Sequence, residues 1–198
     1  MTKPTHTSGG FLFSLIFLNI FISKCLIRYE LPFQILLIFL FFHFSNLGSV
    51  FPDIDMKGSY ISKRYPLLAR AFKKARHRGI THSLIFIAIL YIISLTLVSI
   101  SHKNIVVFTI CSGFILGYTS HLALDLLTRE GIELLFPFRF NIKLFHIKTG
   151  SKGEVAFHKF LKLIIFLFLI YNIYLLSLRY FNINLLNIVL DIVKSFKH

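Results

Sequence analysis

Acidic residues are scarce in this chain: eight Asp and Glu stand against 22 Lys and Arg in 198 residues, a formal net charge of +14. Only 15% of the residues are charged, whereas 56% are hydrophobic and 24 are Phe. So little charge excludes a small soluble domain, which would be left with too much exposed apolar surface. Cysteine is almost missing too, and Cys25 and Cys111 both fall inside apolar runs. Their placement favours two buried apolar thiols over a disulfide or a thiolate metal site. Internal repeats, a Gly-rich phosphate loop and a Gly-x-Ser-x-Gly elbow are absent, which removes the common signatures of nucleotide binding and serine hydrolysis.

What the chain does have is long apolar runs, at residues 11–27, 31–47, 84–100, 105–127 and 161–178. Each is of roughly spanning length, so the sequence predicts an all-α polytopic membrane protein of about five transmembrane helices in one bundle. The first run carries no small-residue cleavage site and Lys24 precedes Cys25, so it reads as a retained anchor and not a secretory signal. Residues 1–179 form a single domain on this reading. Residues 180–198 are too short and interrupted for a sixth span and read as an amphipathic helix lying on the outer surface.

The basic residues are segregated. Lys57, Lys63, Arg64, Arg70, Lys73, Lys74, Arg76 and Arg78 lie between the second and third runs, and Arg129, Arg139, Lys143, Lys148, Lys152, Lys159 and Lys162 follow the fourth. The opposite loops hold only Arg28 and Lys103. The positive-inside rule therefore places both basic segments, and the N-terminus with Lys3, in the cytoplasm, as in a bacterial inner membrane. That topology accounts for the charge without nucleic acid, and anionic lipid head groups are the better partner for such a surface.

With this topology the residues suited to metal binding gather at one membrane face. They are His6 before the first span, Asp53 and Asp55 after the second, His77 and His82 before the third, His121 and Asp125 ending the fourth, and Glu154 before the fifth. Random placement would scatter them over both faces, so one site at the cytoplasmic end, assembled from several segments, is expected. In "GFILGYTSHLALD", Gly113, Gly117, His121 and Asp125 recur every four residues and share one side of a helix. The glycines admit a close neighbour on that side, which turns His121 and Asp125 into the bundle. Taken alone, the two would equally satisfy each other as a buried pair. His77 and His82 are five apart, about 140° around a straight helix, so a turn at Gly79 is needed for their rings to converge. Arg76 and Arg78 flank His77, either as guanidinium forks for a substrate phosphate or simply as part of the basic loop. Asp53 and Asp55 in "FPDIDMKG" supply hard oxygen donors. With imidazoles and no usable thiolate, the set suits zinc first, then manganese or iron.

"THTSGG", "PDID", "HRGITHS", "GYTSHLALDLLTREGIELLFPF" and "KTGSKGE", in that order, resemble the YdjM-like, LexA-regulated family of membrane-bound metal-dependent hydrolases. The likeness covers roughly residues 1–160. Met56 stands where the family pattern usually continues with His, and Arg129 and Glu130 replace an aromatic. The family is similar in motif order to the zinc-dependent phospholipase C and nuclease fold. The resemblance implies a multinuclear metal site, phosphoester hydrolysis, and ligands at His6, Asp53, Asp55, His77, His82, His121, Asp125 and Glu154.

Eight N and O donors exceed one tetrahedral zinc with an open position and suit two divalent ions sharing a carboxylate. One carboxylate, Asp55 or Glu154, would then act as catalytic base, with Arg76 and Arg78 binding a phosphoester such as a phospholipid head group. The competing readings are a non-catalytic metal-binding or transport protein, or an interaction protein whose basic loop docks on anionic lipid. The sequence does not address the oligomeric state.

Overall fold

The structure, a computed structural model, describes residues 1–72 and 76–189. Lys73 and Lys74 of the basic loop, and the tail from residue 190 onward, lie outside the described residues. Of residues 180–198, expected as a C-terminal amphipathic helix, Tyr180 and Phe181 end the helix Lys152–Phe181, 182–184 are non-helical and 185–189 are helical.

The chain is all-α; besides the helical stretch at 185–189, the described residues form α1 (Lys3–Phe21), α2 (Leu31–Gly48), α3 (Tyr60–Arg64), α4 (Pro66–Ala71), α5 (Leu84–Ile100), α6 (Ile105–Asp125) and α7 (Lys152–Phe181). Local chemistry sets their starts. Pro occupies the first turn of α1, α2 and α4, where its missing N–H is no loss. Ser83, Asn104 and Ser151 cap α5, α6 and α7 through their side-chain oxygens. A π-helical stretch, Ile22–Leu26, carries α1 further.

Four helical stretches are long and apolar enough to cross a membrane: Lys3–Leu26, Leu31–Gly48, Ile105–Asp125 and Lys152–Phe181. The fifth expected span, α5, has 17 residues and is apolar, at the short end of the spanning range of about 17–25. Two boundaries differ from the sequence reading. α1 begins at Lys3 and α7 at Lys152, both well before their apolar runs. Hydropathy cannot see these first turns, because Thr5, His6, Gly9, Gly10 and Glu154 are buried against other helices instead of facing lipid.

The bundle is apolar outside, as a bilayer solvent demands, and its interior combines apolar clusters with buried polar side chains. Phe39, Ile92, Phe166 and Ile173 are among the large side chains exposed on its flanks, and α5 has no fully buried residue. α2 and α6 approach most closely. A Cβ added at Gly113 would stand 2.5 Å from the Phe41 carbonyl oxygen, and one at Gly117 would strike the Ser45 carbonyl, 2.7 Å from its carbon. Between α1 and α7, Asn19 donates to Asn172 at 2.6 Å and Asn172 donates to the Leu15 carbonyl at 3.1 Å, joining the helices inside the apolar zone.

These pairings bring the start of α1, the end of α2, the start of α5, the end of α6 and the start of α7 to one end of the bundle. Two connections fold over that end. Residues 49–83 contain a 3-10 turn at Phe51–Asp55 followed by α3 and α4. Residues 126–151 double back through backbone bonds between Ile132 and Ile142 and between Arg129 and Ile147.

Candidate metal centre

Three imidazoles meet under the 3-10 turn. His6, His82 and His121 are each 1% exposed or less, so their nitrogens must find partners inside the protein. The rings of His6 and His121 stack with centroids 3.6 Å apart and planes within 7°, and His82 meets His121 edge-on at 5.1 Å. Nε2 of His82 lies 3.2 Å from Nε2 of His121.

The proton positions of this pair follow from their partners. His121 Nδ1 lies 2.7 Å from the Ser49 carbonyl oxygen, which can only accept, so Nδ1 carries the hydrogen. Thr81 spends its single hydroxyl proton on Asp55 Oδ2 at 2.6 Å, so its oxygen accepts from His82 Nδ1, 3.0 Å away. In both neutral rings Nε2 is therefore a bare lone pair, and two lone pairs face each other at 3.2 Å. Such an arrangement is repulsive unless a cation or a proton stands between them.

Two carboxylates complete the set. Asp53 Oδ1 lies 3.8 Å from His82 Nε2 and 3.7 Å from His121 Nε2, and Asp125 Oδ2 lies at the same two distances. A tetrahedral ion with bonds of about 2.0–2.1 Å separates its ligand atoms by about 3.3 Å, so the donors of Asp53, His82 and His121, spaced at 3.2–3.8 Å, fit one ion, and Asp125 Oδ2 stands as near to both nitrogens as Asp53 does. Asp125 Oδ1 points elsewhere, to His6 Nε2 at 3.3 Å and to the amino group of Met1 at 2.6 Å. Neither nitrogen of His6 makes a hydrogen bond, although the ring is buried, which marks it as a further donor. Asp125 thus faces His82 and His121 through one oxygen and His6 through the other. Asp55, His77 and His82 make a third group with metal-ligand spacing.

Electrostatics outside the spans agrees with neutral nitrogens inside and charge at the rim. Burial pushes His82 well below the usual imidazole range, and the neighbouring His121 adds to this. Burial also acts to lower His77, but its hydrogen bond to Asp55 and the charges of Asp55 and Asp53 outweigh it and raise the ring. Burial raises Asp53, partly offset by His121.

The structure brings together His6, Asp53, His82, His121 and Asp125, with Asp55 and His77 beside them. The expected bend is present: Arg78 takes a left-handed backbone with φ of 64°, next to Gly79, and the His77 and His82 rings come within 5.5 Å. Asp53 and Asp55 divide the work of their turn. Asp53 faces the two bare nitrogens, whereas the Asp55 side chain is fully buried and holds His77 at 3.0 Å and Thr81 at 2.6 Å. Arg78 reaches Asp125 Oδ2 at 3.2 Å and the Thr128 hydroxyl at 3.1 Å, so it ties α6 to the following loop. Arg76 is 70% exposed and pairs with Glu133 at 3.0 Å.

Glu154 is not brought into the cluster. Its carboxylate accepts four hydrogen bonds of 2.6–2.8 Å, from the Thr2 amide, the Thr2 and Thr5 hydroxyls and the Gly150 amide. It fastens the first turn of α7 to the first turn of α1. Glu154→Gln puts an amide group among donors, and is expected to cost about 1–3 kcal/mol of stability while metal content stays at the wild-type level. Thermal unfolding of detergent-purified protein beside elemental analysis checks this, and loss of metal would make Glu154 a ligand after all. Sequence reasoning missed Ser49, Thr2, Thr5 and Glu133. Of these only Thr5, in the hydroxyl-rich "THTS", gave a signal, and Ser49 acts through its backbone carbonyl, which leaves no mark in a sequence.

The profile of the YdjM inner membrane protein family matches residues 1–182. The chain belongs to that family. Among relatives, the "Uncharacterized protein YvsG" of Bacillus subtilis (strain 168) is 38% identical over 110 residues, covering 54% of this chain and 64% of that protein. The "Inner membrane protein YdjM" of Escherichia coli (strain K12) is 31% identical over 109 residues, covering 54% of each, and that of Shigella flexneri gives the same values. The matches therefore span less than two thirds of these relatives' lengths. No solved structure matches the chain. Family membership and the apolar helices together establish a membrane-bound protein.

Proposed function

We propose that this protein is a five-span inner-membrane hydrolase of phosphoesters whose metal centre faces the cytoplasm. The observation that carries the metal is the pair of bare Nε2 atoms of His82 and His121 facing each other at 3.2 Å, flanked by two carboxylates. His82, His121, Asp53 and Asp125 would hold one divalent ion, and His6 with the other oxygen of Asp125 would contribute to a second. Nitrogen and oxygen donors without thiolate suit zinc, with manganese or iron as alternatives. A bound ion would supply a Lewis acid for a phosphoryl oxygen and lower the pKa of water in its shell.

This chain's own residues do the rest. Asp53 is the one member of the four-donor set with appreciable exposure, 21%, so substrate reaches the cluster from its side. Exposed Arg76, next to His77 in the chain and paired with Glu133, would offer its fork to a phosphate, as the basic loops offer a wider positive field. Asp55 keeps His77 and Thr81 in place, and through Thr81 fixes the tautomer of His82. Cytoplasmic orientation rests on the concentration of Lys and Arg in the two connections that cover the site.

The test is metal content per chain by elemental mass spectrometry, followed by phosphodiester and phospholipid hydrolysis, for wild type and Asp53→Asn. The expected result is bound transition metal and hydrolysis in wild type, with metal affinity down by about 100-fold or more in the variant. Wild type that takes up no metal from zinc or manganese solutions would overturn the reading. Metal without hydrolysis would leave a non-catalytic metal-binding membrane protein.

A further inference from the structure

Beside the ligand cluster, and sharing none of its residues, a cavity of about 370 Å³ opens where α1 begins and α2 ends. Lys3, His43, Asn46, Tyr60 and Arg64 line it, and no carboxylate does. In a chain with so few acids that alone would be weak, but the two cations are also unneutralised. Neither Lys3 nor Arg64 forms an ion pair with any carboxylate among the described residues. Lys3 is nonetheless held in place: its Nζ sits 3.2 Å above the centre of the Tyr60 ring. One held cation and one exposed guanidinium, with an amide and a phenol beside them, form a donor set with no anion of its own, which suits several oxygens on one negatively charged group.

Depth supplies the ligand's class. The cavity lies at the end of the helix pair, where the apolar flanks stop, so it sits at head-group level. Just below it on α2, Phe39 is 66% exposed and faces His43 with ring centroids 6.2 Å apart. Phe11 of α1 packs on Phe42 at 5.1 Å on the same helix pair. A positive pocket above an aromatic track matches an anionic phosphate group with an acyl chain beneath it.

We propose that this cavity is a binding site for the head group of an anionic glycerophospholipid, of the phosphatidylglycerol type, from the leaflet into which it opens. Lys3 and Arg64 bind the phosphate, and Asn46 and Tyr60 complete its hydrogen bonds. The site rests on the membrane placement of the bundle and not on the metal reading.

Native mass spectrometry of the detergent-purified full chain, titrated with phosphatidylglycerol or with phosphatidylcholine of the same acyl chains, tests it. Lys3 and Arg64 are both exposed, so Lys3→Ala and Arg64→Ala leave the core untouched. Each is expected to weaken phosphatidylglycerol binding by about tenfold or more, as loss of one charge-assisted hydrogen bond does. Phosphatidylcholine is expected to bind weakly to wild type and variants alike. Equal phosphatidylglycerol binding by wild type and both variants would overturn the proposal, as would equal binding of the two lipids by wild type. Displacement of the lipid by millimolar inorganic phosphate would make this a site for free phosphate and overturn the lipid assignment. Metal content measured on the same samples keeps the two proposals apart, since the lipid result stands whether or not metal is found.

Discussion

His121→Ala is expected to abolish metal-dependent stabilisation while leaving a folded, monodisperse protein. His121 is the residue all the others touch: it stacks on His6, faces His82 at 3.2 Å, and lies 3.7 Å from both Asp53 and Asp125. In the metal-free protein its removal is close to balanced. It leaves the Ser49 carbonyl without its partner, a cost of about 1–3 kcal/mol, but relieves the opposition of two bare nitrogens. With metal the balance changes. An ion at about 1,000 times its dissociation constant stabilises the native state by about 4 kcal/mol, and all of that requires the donor set. Thermal unfolding of wild type and variant, each with and without zinc, reads the difference. A wild type that zinc leaves unshifted, or a variant that zinc stabilises equally, would remove His121 from the centre.

Gly117→Val is expected to have the largest effect on folding of any single substitution in α6. A Cβ at Gly117 would collide with the Ser45 carbonyl, and at Gly113 with that of Phe41, so the obstacle is main chain on both turns. Even Ala would gain only about 0.5–1 kcal/mol of helix propensity against about 1–3 kcal/mol of overpacking. Val adds two methyl groups in the same place and forces α2 away from α6, at a cost of about 3 kcal/mol or more. The separation also carries Ser49 away from His121 and Asp53 away from its facing nitrogens. Loss of the folded species on size exclusion, together with loss of metal, is therefore expected. A variant that folds and binds metal like wild type would show that the helices do not depend on that contact.

Much of this was legible in the sequence, for definite reasons. The four-residue spacing of Gly113, Gly117, His121 and Asp125 marks one helix face directly, and the structure finds that face against α2. Alternating spans place His6, Asp53, His82 and His121 at one depth before any coordinate is known. Glu154 shows the limit. As an acid between basic residues at the same depth it reads as a ligand, yet its partners are the amide and hydroxyl of Thr2 and the hydroxyl of Thr5, about 150 residues away, with the nearby Gly150 amide. Neutral donors at such separation leave no charge pattern or period to detect. Arg78 likewise reads as a substrate fork, but a left-handed backbone turns it toward Asp125 and Thr128.

The clasp at Glu154 also bears on the order in which the protein is made. The first helix enters the bilayer while its latch, 149 residues downstream of Thr5, is still unsynthesised. Until α7 arrives, Thr2 and Thr5 lack their acceptor at the membrane surface. A chain halted before Gly150 would leave the buried Thr5 hydroxyl without the carboxylate that α7 supplies. The arrival of α7 thus secures the first turn of α1, and a product truncated before Gly150 is expected to be cleaved faster by a membrane protease than one that extends through α7.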